Sequence, residues 1–146
     1  MKSLLIGTML LTTISFQGCN GNQTHPDISL TLKPSYVGET LYLTPVLTYD
    51  GEGEATVVFE NDIAYINLVE IAGEEVYEHE VGDFEVDDQV LLEQGDEIAG
   101  RTVSFEAEPG EYEIYLIADF EMEHIGDNMQ SFTHELTQTI DVRDKE

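Results

Sequence analysis

The sequence predicts an all-β protein, a single immunoglobulin-like antiparallel β-sandwich spanning residues 27–143. Three observations carry that expectation. The stretch "EYEIYLIADFEM" puts Tyr112, Ile114, Leu116, Ala118, Phe120 and Met122 on one parity, and Glu111, Glu113, Asp119 and Glu121 on the other. A period of two held this long means a half-buried strand. Strand-like runs recur along the chain at about 8–15-residue spacing, without a 3.6-residue periodicity or an internal repeat, as in sandwiches. Lastly, "EPGEY" places Pro109 and Gly110 in a tight turn just before Tyr112. A tyrosine there can return its hydroxyl to the preceding backbone, forming a tyrosine corner.

The elements follow in order. "ISLTLK" (28–33) is a first strand, which Pro34 is expected to close. After a turn at Gly38, residues 40–49 form a second strand. Pro45 within it lacks a donor and points to a bulge or a sheet edge. "ATVVFE" (55–60) and "AYINLVEI" (64–71) are the next two strands, and the turn "AGEE" leads from the latter into a return strand, "EVYEHE" (75–80). A short strand lies near residues 89–92, and "GRTVSFEA" (100–107) forms another. The long strand described above comes next. Residues 123–130, "EHIGDNMQ", form a loop, and "SFTHELTQTIDV" (131–142) closes the domain with Phe132, His134, Leu136, Ile140 and Val142 on one face.

The N-terminus reads differently. Lys2 is followed by an uncharged apolar run over residues 4–16. As a helix, thirteen residues reach only about 20 Å, short of the ~30 Å hydrocarbon core of a bilayer. A basic residue before a short apolar stretch is the pattern of a secretory signal. Cys19, the one cysteine, follows Gly18 directly after this run. Outside the cytoplasm it has no intramolecular disulfide partner. The junction "SFQGCN" resembles a bacterial lipoprotein signal. That resemblance implies cleavage before Cys19 and a diacylglycerol on its sulfur. Residues 1–18 are then the signal peptide, residues 19–26 the lipidated cysteine and a polar tether, and residues 144–146 a tail.

All 31 acidic residues lie after Cys19, against Lys33, Arg101, Arg143 and Lys145, so the processed chain carries a net charge of −27. Such a field repels nucleic acid and anionic headgroups and favours basic partners or cations. The apolar periodicity argues against the disorder that often accompanies high charge.

Candidate chemistry is sparse. No free thiol, Gly-rich phosphate loop or nucleophile elbow is present, and the expected protein is not an enzyme. His25, His79, His124 and His134 lie far apart in sequence without metal-ligand spacing. His134, among apolar strand positions, reads as a hydrogen-bonded core or boundary histidine. Hard oxygen donors gather in "DGEGE", with Asp50, Glu52 and Glu54, and in "GDFEVDD". Asp83, Glu85, Asp87 and Asp88 of the latter are the calcium candidate, although neither stretch matches the twelve-residue EF-hand loop.

The stretches "VGETLYLTPVLTYDGEGEATVVFEN", "LVEIAGEEVYEHEVGDF" and "LLEQGDEIAGRTVSFEAEPGEYEIYLIADF" resemble the BsuPI-type proteinase inhibitors of bacilli. The resemblance implies an immunoglobulin-like sandwich. The functional expectation is a lipid-anchored, extracytoplasmic module of the bacterial envelope, held to the membrane through Cys19, that binds a protein or another envelope component. No cofactor and no nucleic acid are expected. One alternative is a proteinase inhibitor inserting the loop at residues 123–130. The other is a calcium-responsive acidic surface module.

Overall fold

The computed structural model describes residues 3–5, 23–80, 87–124 and 128–143. Among them are eleven strands and no helix: β1 (Ser3–Leu5), β2 (Ile28–Val37), β3 (Thr40–Tyr49), β4 (Ala55–Glu60), β5 (Ala64–Ile71), β6 (Glu74–Glu78), β7 (Asp87–Leu92), β8 (Glu97–Ala99), β9 (Val103–Glu106), β10 (Gly110–His124) and β11 (Gln130–Arg143). The pairings are antiparallel throughout. β2 and β3 form one sheet with β8 and β9, while β10 and β11 anchor the other with β1, β4, β5, β6 and β7. From β2 onward the chain thus crosses between sheets after β3, after β7 and after β9. This Greek-key connectivity defines an immunoglobulin-like sandwich.

Alternation along each strand supplies the core. The inward residues of β10, from Tyr112 to Met122, are all buried, and they face Leu41, Leu43, Leu47 and Tyr49 of β3. One apolar cluster surrounds Leu43, Ile114 and Ile140; the other surrounds Leu47, Val57 and Phe120. Leu30 packs against both. The corner at Tyr112 forms as expected: its ring is buried and its hydroxyl donates to the carbonyl of Glu108 at 2.8 Å.

Three local expectations change. Pro34 does not close the first strand, which continues to Val37 and pairs Pro34 with Leu43. An edge strand tolerates a missing donor, and β2 is such an edge. Pro45 lies in neither an edge strand nor a bulge. It sits within β3, between β2 on one side and β8 and β9 on the other, opposite Leu32 in an unshifted register. Its carbonyl accepts from Gly100 N–H at 2.8 Å. The N–H and C=O of one strand residue point the same way, so the missing donor faces the gap where β8 stops and β9 has not begun. The strand expected at 100–107 is correspondingly shorter, running only over β9, and β8 forms separately just before it. Gly100 lies in that gap with no room for a side chain, since a Cβ would overlap the carbonyl oxygen of Ala64 and stand 2.9 Å from its carbonyl carbon.

Candidate functional site

β11 pairs with residues 110–122 of β10 along one edge, whereas the other edge is shared by two strands. Residues 112–118 pair with β5 and residues 121–124 pair with β4. Between the two, residues 59–63 leave the ladder opposite Asp119 and Phe120, held by one Asp119 N–H to Ile63 carbonyl bond of 3.2 Å. Asn61 turns the chain there with a left-handed φ of 58°. Phe59 and Glu60 meanwhile stay paired with β7. Sheet disruptions of this kind re-aim side chains and recur beside binding sites. Here the excursion opens a groove of about 490 Å³ on the outer face of the sheet.

Its lining combines flat apolar surface with negative charge. Tyr65 and His79 stack at 4.3 Å between ring centroids and 25° between planes, beside Phe59. His79 is brought there by β6 and its extension, where His79 N–H donates to the Asn67 carbonyl at 2.9 Å. Asp62, Asp119 and Glu121 supply carboxylates along the rim. The Tyr65 phenol is pushed above its ordinary pKa by partial burial first, and then by the charges of Asp119 and Glu135. Asp119 accepts a hydrogen bond from the Thr133 hydroxyl at 3.3 Å, and Asp62 meets Arg101 at 3.5 Å. The other described cations stand elsewhere: Lys33 on Glu97 and Arg143 on Asp141.

A second polar feature lies at the end of the sandwich where β10 stops and β11 starts. The Gln23 carbonyl accepts from Thr133 N–H at 2.9 Å, and its side-chain amide donates to Gln130 Oε1 at 3.2 Å. His25 N–H donates to Nε2 of His134 at 3.0 Å. A backbone N–H can only donate, so that nitrogen carries no proton and His134 is neutral. His134 is 8% exposed and stacks on Phe120, while His25 sets its ring edge-on to Phe132. Burial lowers the His134 pKa to about 4, with a smaller contribution from the charge of His25.

The sequence-derived sites fare unevenly. Cys19, Asp83 and Glu85 lie outside the described residues, and Asp87 is described only as backbone in β7. Asp88 is exposed, and its carboxylate accepts from the next residue's own N–H, Gln89, at 2.8 Å. Asp50, Glu52 and Glu54 are exposed around a turn that the Tyr49 hydroxyl closes on the Gly53 carbonyl at 3.1 Å. Among the described residues, no three His, Cys, Asp or Glu side chains gather as metal ligands would. The expected loop at 123–130 is shorter, because β10 runs to His124 and β11 begins at Gln130; residues 125–127 lie outside the description. His134 is buried and hydrogen-bonded, in keeping with the core or boundary histidine expected. The groove was not assembled from sequence, since Tyr65, His79 and Asp119 come from three separate runs.

The sequence matches no protein-family model and no curated protein. Among solved structures, the ASH/PapD-like domain of human CEP192 (PapD-like domain 7) is similar over 91% of this chain and 99% of that one, with 15% identity and a TM-score of 0.37. So distant a likeness carries no argument about what this chain binds.

Proposed function

We propose that the chain is a lipid-anchored, non-enzymatic binding domain of a bacterial envelope, and that its groove holds a basic segment of a protein partner. The groove is the observation that carries this reading. Its volume falls within the ~300–1,000 Å³ typical of ligand pockets. It offers an aromatic stack for a guanidinium to lie on and carboxylates to receive its N–H groups. A chain of net charge −27 after processing would repel an anionic occupant. Among the described residues, no constellation of nucleophile and base supports catalysis. The anchor rests on the small residue and cysteine that follow an apolar run after Lys2.

Two measurements test the two halves. Metabolic labelling with fatty acid should mark the wild type and leave Cys19→Ser unmarked; equal labelling would refute the anchor. For the groove, the soluble chain from residue 20 lacks β1 and its pairing with the end of β11 but retains both core clusters, which lie within residues 28–142. Titrated at ~0.15 M salt, where the Debye length is ~8 Å, it should bind a capped tetra-arginine peptide and not its uncharged tetra-citrulline analogue. Asp119→Asn/Glu121→Gln should weaken binding about tenfold, and Glu93→Gln/Glu106→Gln, outside the groove, should not. Equal losses in both variants would mean diffuse attraction and no site.

A further inference from the structure

We propose that the edge of β11 turned away from β10 takes up an extended segment of another protein as an added strand. This rests on cleavage before Cys19, which removes residues 1–18. In the unprocessed chain a strand already sits on that edge: Ser3–Leu5 pairs antiparallel with Asp141–Arg143. Nearer the start of β11, Thr133 N–H donates to the Gln23 carbonyl. The N–H and C=O of one strand residue point the same way, and the direction alternates along the strand. The register with β10 is unshifted from Gly110↔Val142 to Met122↔Gln130. Glu135, Thr137 and Thr139 therefore turn their backbone groups outward as Thr133 does. Among the described residues, no strand pairs with 134–140 on that side.

This edge lacks the usual protection. Sheet edges are ordinarily blunted by shortness, charge, proline or bulges. β2 carries Lys33 and Pro34, β6 has five residues of which three are glutamates, and β7 has six and opens on Asp87 and Asp88. β11 runs for fourteen residues, and its stretch "LTQTI" (136–140) holds neither charge nor proline. Leu136 and, on β2, Leu30 are only half-buried against the first core cluster, so the margin beside this edge is apolar. Glu135, which is exposed, and Asp141, which Arg143 meets, flank the uncharged run. The occupant is thus an extended protein segment with apolar residues at alternate positions and basic residues at its ends. A second copy is the poorer occupant, because each processed chain brings a net charge of −27.

The probe is a capped, fluorescently labelled peptide, Lys-Val-Thr-Val-Thr-Val-Lys, titrated by anisotropy onto the chain from residue 20. Laid antiparallel with its lysines opposite Glu135 and Asp141, it turns its valines inward and its threonine N–H groups toward β11. N-methylation of both threonines should weaken binding about tenfold or more, and N-methylation of two valines should leave it unchanged. Amide hydrogen exchange should slow at Thr137 and Thr139 when the peptide binds. Thr137→Pro removes an outward donor and no bond to β10, which an edge strand tolerates. It should weaken the peptide about tenfold with an unchanged circular dichroism spectrum. The groove variant Asp119→Asn/Glu121→Gln should bind the peptide as the wild type does. Equal affinity of the two methylated peptides would overturn the proposal, and so would a loss confined to the groove variant, which would place the lysines in the groove. Absence of binding would overturn it whether or not Cys19 carries a lipid. A dimer of the peptide-free chain that Thr137→Pro dissociates would assign the edge to a second copy and overturn it as well.

Discussion

His134 couples stability to pH, and its contribution can be worked out in advance. Folding buries the ring and uses Nε2 as an acceptor for His25 N–H, so the folded state favours the neutral imidazole. Its pKa falls from 6.5 to about 4, chiefly through burial and then through the charge of His25. The unfolded chain therefore binds more protons between these values, and stability declines as pH falls through that window. The contribution is intact above pH 6.5 and levels off below pH 4. Linkage puts the loss at about 1 kcal/mol at pH 5.5 and about 2–3 kcal/mol at pH 4.5. Repulsion among the carboxylates acts in the opposite direction, because acid relieves it. A single pH curve would mix the two effects. Wild type and His134→Gln share the carboxylates, so the difference between their urea-unfolding free energies isolates the histidine. Followed by circular dichroism, wild type should lose its advantage over the variant by about 2–3 kcal/mol between pH 7.5 and 4.5. Parallel curves, constant to within about 0.5 kcal/mol, would refute the reasoning and mean that His134 is not held neutral by the fold.

Three further outcomes are expected. Tyr112→Phe should cost about 1 kcal/mol in denaturant unfolding, because the Glu108 carbonyl loses its donor at the corner; no change would mean that water replaces the hydroxyl. Gly100→Ala should cost about 2–3 kcal/mol, since the new methyl meets backbone at Ala64 and no flexible side chain can give way; a variant of wild-type stability would show that β8 can shift. The melting temperature at pH 7 should rise from dilute buffer to 1 M sodium chloride, as the Debye length shrinks from above ~10 Å to ~3 Å and repulsion among carboxylates is screened. Calcium at matched ionic strength should give a similar rise; a saturating rise at millimolar calcium alone would point instead to a bound ion.

What the sequence determined by itself is the part governed by local rules. Period-two alternation in "EYEIYLIADFEM" set which face of β10 is buried, because a side chain on a strand can point only one of two ways. "EPGEY" set the corner, because proline and glycine dictate the turn and the tyrosine hydroxyl then has a backbone partner within reach. His134 was legible for the same reason, as one polar residue on an apolar parity. The prolines were misread because their tolerance depends on neighbours. Pro34 continues a strand on a sheet edge, and Pro45 is accommodated only because β8 and β9 are interrupted beside it. The groove was decided by tertiary structure alone. "ATVVFE" and "AYINLVEI" were each legible as strands, but nothing local says that both lie along β10, or that residues 59–63 must leave the ladder between them. Residues 23–27 are the same case. "QTHPD" has the composition of a free linker, and it docks because residues more than a hundred positions later meet it: Thr133 and His134 pair with its backbone, and Gln130 accepts from the Gln23 side chain.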